Sequence, residues 1–289
     1  MTKSLASGKV FDARVCALGE GPLWHPLQQR WYWFDILNRA LLAKDSFGEY
    51  VWQFDEMVSA CGWLNEHALI IASESGLYRF DTKSPSATKE LVVAIEADNK
   101  VTRSNDGRAD PWGGFWIGTM GKQAEPGAGA IYRYYQGELR TLVANVTISN
   151  AICFAPDKSC AYYTDTPTQK IMRQALDENG WPKGQAKVFV DLSHENLNPD
   201  GAVVDSNGNL WNAQWGANQV SCYNNQGALI KRITFEAAQI SCPAFGGDNM
   251  ASLVATSAAI DADAKDSKAG MTFMMKADAQ GLPEYRVEL

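Results

Sequence analysis

A chain of 289 residues is long enough for one large domain or two average ones. Its 46% hydrophobic and 20% charged residues are ordinary values for a globular protein, and a net charge of −7 without any run of Lys or Arg argues against a nucleic-acid or anionic-membrane partner, which would need clustered cations. No apolar stretch approaches the roughly 18 residues of a membrane span, residues 1–10 lack the apolar core of a signal peptide, and six scattered cysteines without a C-x-x-C pair predict reduced thiols in a cytoplasmic protein.

Taken in chain order, the predicted elements are short strands that recur as a set. Residues 10–15 alternate and read as a strand. Glu20-Gly21-Pro22 follows, then His25-Pro26 and the aromatic run 31–35. A polar turn at 64–66 precedes runs 69–71 and 76–81. Asn105-Asp106-Gly107 leads to the turn at Asp110-Pro111, the run 112–117 and the strand 131–134. Ser149-Asn150-Ala151 leads to Ala155-Pro156-Asp157, then 162–165 and 171–174. Pro199-Asp200-Gly201 leads to the turn 205–209, Leu210-Trp211 and 219–223. The last set is 247–249, 253–256 and 271–275, and residues 285–289 again alternate. Trp33, Ile70, Trp116, Tyr162, Trp211 and Leu253 hold equivalent places at intervals of about 45 residues.

Each unit reads as about four short strands joined by Asx and Gly turns. One such unit cannot cover both faces of its sheet, but units stacked around an axis can. Six units predict an all-β fold, a six-bladed β-propeller spanning 1–289 as one domain. Helical periodicity is nearly absent; 237–240 and 258–265 are the nearest candidates. The strand-like ends 10–15 and 285–289 are expected to complete blades near the seam and so cover edges that would otherwise invite aggregation.

The first strand of each blade lines the channel of a propeller, so the acids and amides at those strand ends face its mouth. Glu20, Asn150 and Asp200 then converge. Two carboxylates and an amide oxygen are hard ligands for one divalent metal ion, whether Ca, Mg, Mn, Zn or Fe. Three protein ligands leave positions open for water and substrate, as in a catalytic rather than a structural site. Each residue alone also fits an ordinary turn. Arg103 and Asn105 end the third inner segment, where a guanidinium and an amide can hold a hydroxyl-rich ligand. Trp24, Trp116, Trp211 and Trp215 are expected mostly in blade packing, with one free to stack on a sugar ring. His25, His67 and His194 show no metal-binding spacing, and no G-x-S-x-G elbow or phosphate-binding loop is present.

In several stretches the chain resembles the family of senescence marker protein (regucalcin), gluconolactonases and related sugar lactonases. They are Gly19-Glu20-Gly21-Pro22-Leu23-Trp24, Arg103-Ser104-Asn105-Asp106-Gly107 running to Gly118-Thr119-Met120, Ile148-Ser149-Asn150-Ala151 running to Asp165-Thr166, Asn198-Pro199-Asp200-Gly201 running to Trp215-Gly216, and Phe245-Gly246-Gly247-Asp248. The resemblance implies a six-bladed propeller with one divalent metal in the channel. It implies Glu20, Asn150 and Asp200 as metal ligands, Asp200 also as the catalytic acid/base, and Arg103 and Asn105 as substrate-binding residues. Glu125 matches an acidic residue of the loop after Gly-Thr-Met only loosely. The chain departs from the pattern at Ala151 and Ala217, where glycine is usual. The implied activity is metal-dependent hydrolysis of a sugar lactone to the aldonic acid, by a monomer or weak homo-oligomer. A non-enzymatic cation-binding or scaffold propeller, or an esterase of broader lactone or organophosphate scope, is the alternative.

Overall fold

A computed structural model describes residues 8–84 and 86–289, as six four-stranded antiparallel sheets. The chain opens with β1 (Lys9–Asp12). Blade 1 is β2 (Gly19–His25), β3 (Arg30–Asp35), β4 (Ala40–Lys44) and β5 (Glu49–Gln53); blade 2 is β6 (Val58–Asn65), β7 (Ala68–Ser73), β8 (Gly76–Asp81) and β9 (Lys89–Ala94). Blade 3 is β10 (Thr102–Ala109), β11 (Phe115–Gly121), β12 (Gly129–Tyr135) and β13 (Glu138–Val146); blade 4 is β14 (Ser149–Phe154), β15 (Cys160–Asp165), β16 (Lys170–Ala175) and β17 (Lys187–Asp191). Blade 5 is β18 (Asn198–Val204), β19 (Leu210–Trp215), β20 (Gln219–Tyr223) and β21 (Leu229–Thr234); blade 6 is β22 (Ile240–Gly246), β23 (Ser252–Ser257), β24 (Thr272–Lys276) and, outermost, β1.

The first strands of successive blades, β2, β6, β10, β14, β18 and β22, each touch the next, and β22 touches β2. That closes a ring around a central channel, and the fold is the expected six-bladed propeller. The six repeat-marker residues all lie on the second strand of a blade. Because strand side chains alternate between faces, each blade packs on both neighbours. Trp33 joins the cluster between blades 6 and 1, while Phe34 joins the one between blades 1 and 2. Trp116 meets Phe154 edge to face between blades 3 and 4, and Trp211 meets Phe245 between blades 5 and 6. All three tryptophans are core, as anticipated for Trp116 and Trp211. Among the described residues there is no α-helix, including 237–240 and 258–265; only 3₁₀ turns such as Thr166–Thr168 occur, and no helix is long and apolar enough to cross a membrane. All six cysteines are free and buried.

The N-terminal half of the seam follows expectation: β1 pairs antiparallel with β24, Lys9 opposite Met274 and Val10 opposite Phe273. The strand stops at Asp12, whose carboxylate accepts the Arg14 backbone N–H at 3.0 Å and its Nε–H at 2.9 Å. The C-terminal half does not follow expectation. Residues 285–289 belong to no blade, because β1 already fills the outer place of blade 6. After β24 the chain crosses the end of the channel where the inner strands finish. Ser206 N–H donates to Gln280 O at 2.8 Å, Val287 N–H to Trp63 O at 3.0 Å and Glu288 N–H to Gly113 O at 2.8 Å. Val287 is buried in the cluster between blades 2 and 3. The alternation of this tail comes from a plug with one face inward.

Candidate active site in the channel

Every inner strand carries a register shift near its start: between Glu20 and Leu23, Val58 and Ala60, Ser104 and Gly107, Asn150 and Cys153, Pro199 and Ala202, and Ile240 and Pro243. A bulge kinks a strand and re-aims the side chains at its edge. The residues at or inside these shifts include Glu20, Ser59, Asn105, Asn150, Asp200 and Ser241. At the first bulge Gly21 has φ +54°, and a Cβ there would sit 2.5 Å from Ser59 O. Only glycine fits, which lets Gly21 N–H turn back to donate to Glu20 Oε2 at 2.9 Å. At the fourth bulge the same left-handed conformation falls on Ala151, φ +58°. This is where the usual glycine is missing. Ala217 takes no left-handed φ, so its departure costs the backbone nothing of that kind.

Around these bulges lies a cavity of about 510 Å³, within the range of small-molecule sites. Glu20, Arg103, Asn105, Asn150 and Asp200 all line it. Leu18, Met120, Ile148, Pro167, Trp215 and Ile260 form its apolar wall. Of the four tryptophans considered for a sugar platform, Trp215 is the one in this wall. Leu18 and Ile148 are held there by acids that end the aromatic runs: Asp35 accepts the N–H groups of Ala17 and Leu18 at 3.0 and 3.1 Å, and Asp165 accepts that of Ile148 at 2.9 Å. Glu125 does not line the cavity; its Oε2 accepts the Gln123 backbone N–H at 3.0 Å, within its own turn.

The polar groups are oriented before any ligand arrives. Asn150 Nδ2 donates to Thr166 Oγ1 at 3.0 Å, and Thr166 Oγ1 donates to Pro199 O at 2.8 Å. Asn105 Nδ2 donates to Asn150 Oδ1 at 3.1 Å and to Ser149 O at 2.9 Å. Arg103 Nη1 donates to Asn105 Oδ1 at 2.7 Å and to Ser104 O at 2.9 Å. The chain Arg103–Asn105–Asn150–Thr166 therefore fixes both amides and leaves the Asn150 oxygen as the atom of that side chain that could hold a cation. Thr166 is a supporting residue that sequence reasoning passed over, although it follows Asp165 in a quoted motif.

The electrostatics are those of a site short of positive charge. Among the described residues, neither Glu20, Asp200 nor Arg103 makes a salt bridge within 4.0 Å, yet they are 5%, 5% and 6% exposed. Burial, then the nearby Asp106 charge, pushes the Glu20 carboxyl up to about 8. Burial, then Glu20, pushes Asp200 well above the usual carboxylate range. Burial lowers the Arg103 guanidinium to about 10. Asp106, on the same bulge as Asn105, is raised by burial to about 6 while its Oδ2 accepts the Ile152 N–H at 2.7 Å. Buried like charges that raise one another are what a cation relieves. Glu20, Asn150 and Asp200 also fit a cation chemically, since each offers an oxygen. No cluster of three or more His, Cys, Asp and Glu ligands exists among the described residues, so the amide is needed to complete a three-ligand set.

Comparison with known proteins agrees with this architecture. Residues 18–259 match the family described as SMP-30/Gluconolactonase/LRE-like region. The chain is 37% identical to a putative sugar lactone lactonase of Rhizobium meliloti over 97% of its own length and 98% of that protein's, and 30% identical to a pentonolactonase of Haloferax volcanii over 95% and 96%. A crystal structure described as a calcium-binding protein, regucalcin, from Agrobacterium tumefaciens superposes with a TM-score of 0.94 at 37% identity, covering 99% of this chain and 100% of that one. The chain belongs to the SMP-30/gluconolactonase/LRE-like family.

Proposed function

We propose that this protein is a metal-dependent sugar lactonase that hydrolyses an aldonolactone to the aldonic acid. The observation that carries the reading is the pair of buried, unpaired carboxylates, Glu20 and Asp200, sharing a cavity with a fixed amide oxygen, a guanidinium and an apolar wall. The names of the relatives, sugar lactone lactonase and pentonolactonase, support the substrate class. Glu20, Asn150 and Asp200 would hold one divalent ion (Ca, Mg, Mn, Zn or Fe), which would supply Lewis acidity to the lactone carbonyl and acidity to a water molecule.

The chain's own residues do the rest. Arg103, donating from its guanidinium, and Asn105 hold and orient the ring hydroxyls, which places the ester at the carboxylates rather than at random in the cavity. Trp215 and the apolar wall cover the carbon face of the ring and exclude bulk water, which strengthens the polar contacts inside. Asp200 accepts a proton as the water oxygen bonds to the acyl carbon. The acyl–ring-oxygen bond then breaks, and the proton passes from Asp200 to that oxygen, leaving a hydroxy acid. Residues 1–289 are read as one domain acting on a small sugar lactone without nucleic-acid or membrane partners.

A cation-binding role without catalysis has one point in its favour, the calcium-binding description of the 37%-identical structure. A scaffold, however, needs neither a cavity of about 510 Å³ nor Arg103 and Asn105 set within it. The two readings separate in a panel of aldonolactones assayed by acid release with stripped protein and each of the five ions restored. Turnover with at least one ion and none without is expected. Cation binding with no lactone turned over would leave the scaffold.

A further inference from the structure

Below the cavity the channel contains a second set of charges that the proposed reaction does not use. Arg108, on β10 two residues past Asp106, forms an ion pair with Glu284 of the C-terminal tail. Their side chains are 11% and 8% exposed. Trp63 Nε1 donates to Glu284 O at 2.8 Å, so the tail is held where its carboxylate reaches the axis. Arg108 is otherwise poorly satisfied: Nη2 donates to Ala202 O at 3.3 Å, and Nε finds no partner. A void of about 10 Å³ touches Gly21, Asp106, Arg108 and Glu284 together, so this pair lies directly beneath the bulges that carry the site. Asp106 stands between the two levels. It shares the β10 bulge with Asn105 of the cavity above, and it lines the same void as Arg108 and Glu284 below.

We propose that Glu284 sets the charge beneath the cation site: by pairing with Arg108 at the channel floor, it offsets a guanidinium charge that would otherwise fall on Asp106 and on a cation above it. The inference rests on the cation site proposed above. A buried guanidinium seeks the nearest carboxylate. With Glu284 neutralised, that carboxylate is Asp106, and Arg108 would cancel the negative charge that favours a cation overhead. Glu284 is thus a positioning residue, eight positions past Lys276 at the end of β24, that acts on the site through Arg108.

The test is calorimetric titration of Ca²⁺ and of Mn²⁺ into the metal-free full-length protein, Glu284→Gln, Arg108→Gln and the double variant, at one pH and ionic strength. Glu284→Gln should weaken binding by about ten- to a hundredfold, the usual range for residues that support ligands from behind. Arg108→Gln should bind at least as tightly as the parent, and the double variant should recover to within about threefold of it. If Glu284→Gln does not fold, Arg108→Gln decides by its sign, because a pair that is only structural loses affinity when broken from either side. Unchanged affinity in Glu284→Gln, or weakening in Arg108→Gln, overturns the inference while leaving the cation site intact. A parent protein that binds neither ion overturns both.

Discussion

In the proposed reaction Asp200 has two opposed duties, metal ligand and base. Burial and the neighbouring Glu20 charge raise its carboxyl, so the ionised form destabilises the metal-free fold at the pH where a base is wanted. Asp200→Asn keeps the shape and removes the charge. It should lower kcat by roughly 10²–10⁴-fold and raise the unfolding temperature of the metal-free protein at pH 8. Loss of both activity and stability would mean that the carboxylate is structural. At Ala151 two effects nearly cancel. The left-handed φ costs about 1–2 kcal/mol, while glycine would forfeit about 0.8 kcal/mol of methyl burial and about as much again in unfolded-state entropy. Ala151→Gly should therefore change stability by less than about 1 kcal/mol, read from a urea midpoint; a larger gain would show strain unrelieved by the surroundings. Glu20 and Asp200 were legible because an acid beside Gly or Pro recurs at a matched place in the repeat, and Asn105 and Asn150 because an amide takes that place in blades 3 and 4; Arg103 was legible from its motif with Asn105, and all five line one cavity. Asp106 belongs to the Asn105-Asp106-Gly107 motif, but the role proposed for it depends on Arg108 and Glu284. Those partners are 176 positions apart, and nothing in either local sequence marks the other.

At the level of the strand, the recurring device is the bulge near the start of each inner strand. Blades 1, 4 and 5 place Glu20, Asn150 and Asp200, the proposed oxygen ligands, there. Blades 2 and 6 place serines that bond sideways instead, Ser59 Oγ–H donating to Ser104 Oγ at 2.8 Å and Ser241 Oγ–H to Gly19 O. Polar ligands on three sides and a serine on two give the site its asymmetry. Turn residues and the alternation of apolar side chains made the blades readable, since period two specifies which faces are buried. The same period misread residues 285–289, because alternation does not say whether a free sheet edge is waiting. The seam offers a test. Asp12 ends β1, accepts three hydrogen bonds from Arg14 and lies 3.4 Å from Lys44 Nζ on blade 1. Asp12→Ala should lower stability by about 1–3 kcal/mol, measured as a shifted urea midpoint. An unchanged midpoint would show that the strand pairing alone closes the ring.

For the molecule as a whole, the proposed cation would couple binding to folding through the ring. Glu20 is raised to about 8 in the fold against about 4.3 in an unfolded chain. Below about 4.3 it is protonated in both states and has no effect. As pH rises from there to 8, the unfolded chain ionises first, so the metal-free fold loses stability across that window. A divalent ion that binds the ionised pair reverses the loss. Adding excess Ca²⁺ or Mn²⁺ should therefore raise the unfolding temperature more at pH 8 than at pH 5, with net proton release in calorimetry at the lower pH. An equal shift at both pH values would place the ion elsewhere.

The most direct test of the central claim is acid release from an aldonolactone panel by protein stripped of metal and then titrated with one divalent ion at a time. We expect no catalysed hydrolysis in the stripped protein, recovery that saturates at one ion per chain, and neither in Glu20→Gln or Asp200→Asn. Full lactonase activity after complete metal removal would contradict it.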